Sequence, residues 1–106
     1  KLVCIGIDAS HYNEYVSGNY RDSMTNFSAL AAGYSVRTVQ LNTSGDLIAA
    51  CANPKYKALI LTAPSRRLSA AQKCAPLKVY TAEELDALYQ VIQNEILPRV
   101  RSCKTP

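Results

Sequence analysis

Asp8, Ser10 and His11 are the residues whose types and spacing come closest to a reaction centre. His11 is the only histidine, and an imidazole titrates in the range that suits general acid or base work. A hydrolase needs a nucleophile and an orienting acid around such a group. Ser10, Ser17 and Asp8 supply those types, with Glu14 close by. No serine lies in a Gly-x-Ser-x-Gly elbow, the strained turn that exposes a nucleophile. The competing reading makes His11 a surface or capping residue at the start of a helix. No residue is therefore assigned a catalytic role.

Four cysteines, Cys4, Cys51, Cys74 and Cys103, carry a different chemistry. Cys4 and Cys103 stand three residues from either end, so a link between them would clasp the whole domain. Four cysteines allow three pairings, and the sequence does not choose among them. The favoured one is Cys4–Cys103 with Cys51–Cys74. A loop of about 100 residues closed by a disulfide gains roughly 4–5 kcal/mol in chain entropy. Disulfides persist in oxidising compartments, so the expected location is extracellular. Asn26-Phe27-Ser28 and Asn42-Thr43-Ser44 match the N-glycosylation acceptor and agree with secretion. The alternative is four reduced, buried thiols. The cysteines lack the paired short spacing of a zinc site, and one histidine does not complete a set. With four glycines and no Gly-x-Gly-x-x-Gly, a dinucleotide loop is missing too. Neither metal nor cofactor is expected.

The net charge is +4, unevenly spread. Lys55, Lys57, Arg66, Arg67, Lys73 and Lys78 fall in one stretch without an acidic residue. Such a patch suits nucleic acid, an acidic protein face or anionic lipid. Its plain alternative is a solvated face. Arg66-Arg67 is the best contact candidate, since adjacent guanidinium groups grip phosphates or carboxylates bidentately. With Lys55 and Lys57 they form the expected binding site.

These groups need elements to position them. One domain fits 106 residues, here 1–106 as a single disulfide-clasped unit. Leu2 to Ile7 reads as a strand. Apolar residues at helical spacing from Tyr12 to Ala31 predict a helix over about 11–32, interrupted near Ser17-Gly18-Asn19 and stopped at Gly33. Residues 34–41 read as a strand and Asn42 to Asp46 as a turn. Residues 47–51 fit a returning strand or a short helix. Ala58-Leu59-Ile60-Leu61 marks a central strand, Pro64 to Arg67 a loop, 68–75 a weak helix and 77–80 a short strand. Thr81 and Glu84 make a capping box. Leu85, Leu88, Tyr89, Ile92 and Ile96 follow as one apolar stripe, too apolar to stay wet without a sheet or partner against it. Pro98 is expected to stop that helix. No apolar run is long enough to span a bilayer.

The stretch 47–53 decides the fold. Gly45-Asp46 between β-rich runs favours a hairpin, hence an α+β fold. An antiparallel sheet would then pack against a long helix in the N-terminal half and a C-terminal helix. The alternative is an α/β parallel sheet in three layers, with helices as crossovers.

The segment Leu2-Val3-Cys4-x-Gly6, the run Arg37-Thr38-Val39-Gln40-Leu41-Asn42-x-x-Gly45-x-Leu47 and the near-terminal Cys103 carry a resemblance. In these features the chain resembles the secreted ribonuclease-like effectors of fungal plant pathogens. Leu2 stands where that family usually has an aromatic residue, and the helix at 82–97 departs from its usual ending. The family's enzymes use a glutamate, an arginine and histidines on RNA, a set that His11 alone does not reproduce. The resemblance implies a non-catalytic module that binds a host protein or RNA. The expected function is therefore a secreted, non-enzymatic binding domain of the virulence-effector kind. Two alternatives stand beside it. One is a small α/β hydrolase-like enzyme or its relic, with a site near Asp8, Ser10 and His11. The other is one subunit of a processed secreted toxin.

Overall fold

The computed structural model describes residues 3–17, 21–62, 71 and 80–103. Its sheet has three strands: β1 (Val3–Asp8), β2 (Val36–Leu41) and β3 (Tyr56–Ile60). The order is β2-β1-β3 and both pairings are parallel. The expectation of an antiparallel α+β sheet is thus overturned, and the fold is of the α/β type. Parallel neighbours need crossovers, and helices supply them. Between β1 and β2 lie α1 (Glu14–Ser17) and α2 (Arg21–Gly33). Between β2 and β3 lies α3 (Ser44–Ala52).

The stretch that decided wrongly is α3. Thr43 is its N-cap, in extended conformation, and its side-chain oxygen accepts from the Asp46 N–H. Gly45-Asp46 therefore sits in a first helical turn, not in a hairpin. Leu47 and Ala50, three apart, bury one face of α3 against Leu41. Leu47, expected by resemblance on a strand after a turn, is helical.

Right-handed crossovers, the near-universal choice, put the β1–β2 and β2–β3 helices on opposite faces of the sheet. Accordingly α2 packs on β2, and α3 packs on β1, β2 and the next helix. Gly6 lies at the middle of the central strand. A Cβ there would come 2.8 Å from Leu59 Cδ2 and 2.9 Å from Leu41 Cδ1, so the strand needs glycine for close approach.

β3 is an edge strand among the described residues. Its register against β1 slips between Cys4↔Tyr56 and Ile5↔Ala58, which leaves Lys57 as the extra residue of a bulge.

The C-terminal helix begins at the expected capping box, in which Thr81 and Glu84 exchange side-chain and backbone bonds. It runs as α4 (Ala82–Val91), a π-helical turn (Ile92–Ile96) and α5 (Leu97–Cys103). Pro98 does not stop it. The π turn just before it has the Leu97 N–H bonded to Ile92 O, five residues back. Proline has no N–H to donate and its ring crowds the carbonyl four residues earlier. The wider turn makes room, and the helix continues. No described helix is long and apolar enough to cross a membrane.

Candidate functional site

The carboxyl end of β1 delivers Asp8, and the loop after it delivers Ser10, His11 and Asn13. All four are buried. In a sheet of order β2-β1-β3 the strand order reverses at β1, and open parallel sheets place ligands at the carboxyl end of such a reversal. The loop is held by its own side chains. Asp8 Oδ1 accepts from the Ser10 N–H at 3.0 Å and the Ser10 hydroxyl at 2.7 Å. The His11 N–H donates to Asn13 Oδ1 at 2.9 Å. Asn13 Nδ2 donates to the carbonyl of Thr62, just past β3, at 2.8 Å. Between His11 and Asn13, Tyr12 takes φ 52°, a left-handed conformation that a bulky residue rarely adopts. Fixed neighbours on both sides impose it.

His11 stands between two carboxylates. Its Nδ1 is 2.6 Å from Asp8 Oδ2, and its Nε2 is 2.9 Å from Glu84 Oε1. An ionised carboxylate only accepts, so the doubly protonated ring is the form that satisfies both. Tyr80 completes the group. Its hydroxyl donates to Asp8 Oδ2 at 2.6 Å, and its ring stacks on His11 with centroids 3.8 Å apart.

The electrostatics follow from those donors. Burial would raise the Asp8 carboxyl, but bonds from Tyr80, Ser10 and His11 outweigh it and hold the group below its ordinary value. Glu84 behaves alike: burial opposes ionisation, while the Thr81 N–H, His11 and the Ser44 hydroxyl favour it more. The Tyr80 phenol is pushed well up by burial and by its bond to the Asp8 carboxylate.

This arrangement does not make a hydrolytic triad. A serine nucleophile needs a ring nitrogen free to take its proton, opposite the nitrogen held by the acid. Here both nitrogens face carboxylates, and Ser10 lies on the Asp8 side of the ring, 3.0 Å from Nδ1. What the cluster does is tie four separate parts of the chain together: β1 with its loop, the end of β3, the start of α3 and the start of α4.

Sequence reasoning put Asp8, Ser10 and His11 side by side, and the structure joins them. It missed Asn13, Tyr80 and the second role of Glu84. The capping box explained Glu84 fully, and nothing in the spacing links it to a histidine 73 positions away. Glu14 belongs to α1 and is not among the cluster's bonds given above.

The expected basic site is only partly within view. Lys55 and Lys57 are exposed, the first before β3 and the second on its bulge. Arg66 and Arg67 lie outside the described residues, as do Lys73 and Lys78. Cys4, buried on β1, and Cys51, half-buried on α3, carry free thiols. Burial raises the Cys51 thiol. Cys74 and the side chain of Cys103, their expected partners, lie outside the described residues. Asn26 and Asn42, the acceptor asparagines, are both exposed. No group of three metal-ligating side chains is disposed around an ion among the described residues.

A second concave feature lies elsewhere. An open groove of about 640 Å³ runs between the end of α3, β3 and the C-terminal helix. Ala50, Tyr56, Leu59, Leu85, Leu88 and Ile92 line it, with Lys57 and Arg99 among its polar residues. Along it the helix leaves Leu85, Tyr89, Ile92 and Ile96 about half exposed, and Val100 follows beyond its end.

Comparison with protein-family models, with curated proteins and with solved structures returned no match.

Proposed function

We propose that this chain is a non-catalytic, extracellular binding domain that engages a protein helix through the groove between β3 and its C-terminal helix. The observation that carries this reading is the apolar face of that helix. Five large apolar side chains stay exposed along it, four of them lining a groove of ligand-binding size. Exposed apolar residues in a continuous row mark interaction surfaces, whereas scattered ones do not.

The shape favours a helical guest over an added strand. The edge of β3 carries a lysine on a bulge, two devices that blunt strand addition. An amphipathic helix needs only an apolar trough, which it reads with residues at i, i+4 and i+7. The polar cluster at Asp8 supports a non-catalytic role, because its donors and acceptors are spent on one another. The extracellular setting rests on the two exposed acceptor asparagines, Asn26 and Asn42, while the free thiols of Cys4 and Cys51 lend it no support.

Selection from a displayed library of random peptides tests the reading. Enriched peptides should carry apolar residues at helical spacing, and Leu85→Glu or Ile92→Glu should abolish their binding. Enrichment that ignores both substitutions overturns the groove as the site. Tight, salt-sensitive binding of a random RNA pool, with no peptide enriched, would favour the basic stretch and nucleic acid instead.

A further inference from the structure

We draw no further inference here: the strongest candidate, the apolar groove between β3 and the C-terminal helix, carries nothing beyond the reading above, because Glu84 is spent on His11 and Arg99 on Glu95 and nothing in the structure shows what covers it.

Discussion

The carboxylate of Glu84 stands 2.9 Å from His11 Nε2 and accepts the Thr81 N–H at 2.8 Å through the same oxygen. One atom thus starts the C-terminal helix and fastens it to the loop after β1. Capping is a local event and the histidine contact is a long-range one. Their meeting in one side chain sets the orientation of α4, and with it the wall of the groove.

His11→Ala should destabilise the fold by about 3–5 kcal/mol, because it leaves two buried carboxylates facing an empty space. Urea unfolding measures this. Combined with Glu84→Gln, the loss should fall well short of the sum of the two single losses. Additive losses would mean that the two residues are not coupled.

Acid should unfold the protein, with the sign set by Asp8 and Glu84. Both carboxyls sit below their ordinary values of 3.8 and 4.5 in the folded chain. Their stabilisation is therefore complete above those ordinary values. It is lost as pH falls through the lower, folded ones. Unfolding midpoints should hold steady from neutral pH to about pH 5 and then decline. Glu84→Gln should flatten the decline.

Ser10 should not react with a serine-directed fluorophosphonate. Its hydroxyl is buried and bonded to Asp8 Oδ1, and His11 offers it no free nitrogen. Labelling is read by intact mass. A stoichiometric adduct on Ser10 would revive the hydrolase alternative.

At position 12 the backbone alone can be tested. Tyr12→Ala and Tyr12→Gly both remove the ring, so their difference isolates the left-handed φ. The glycine variant should be more stable by about 1 kcal/mol. Equal stabilities would show that the loop relaxes out of that conformation.

Gly6→Ala should cost about 1–3 kcal/mol by overpacking. The new methyl meets Leu59, Leu41 and Tyr56 at once, and Leu41 is deeply buried. A variant of unchanged midpoint would mean that these three side chains move aside freely.

Local signals were legible where one element decides itself. The apolar run of β1, the strand at Ala58–Ile60 and the Thr81–Glu84 box needed no partner to be read. The hairpin expectation failed because Gly45-Asp46 suits a turn and a first helical turn equally. The cue that separates them is Thr43, whose oxygen reaches the Asp46 N–H. Sheet direction is a relation between strands, so no single strand could announce it. At the end of the chain, Pro98 obeyed its local rule in an unexpected way, widening the helix instead of ending it. The polar cluster was half legible: Asp8, Ser10 and His11 are neighbours in sequence, while Tyr80 and Glu84 arrive only through the fold.

The His11–Glu84 contact also orders events at the ribosome. Asp8 and His11 emerge early, and their counterpart follows 73 residues later. Until then an acid and an imidazole have no reason to leave water, and the centre of the sheet has nothing to close over them. Stable tertiary structure is expected to form only once synthesis has passed Glu84. A nascent fragment ending before Thr81 should remain protease-sensitive.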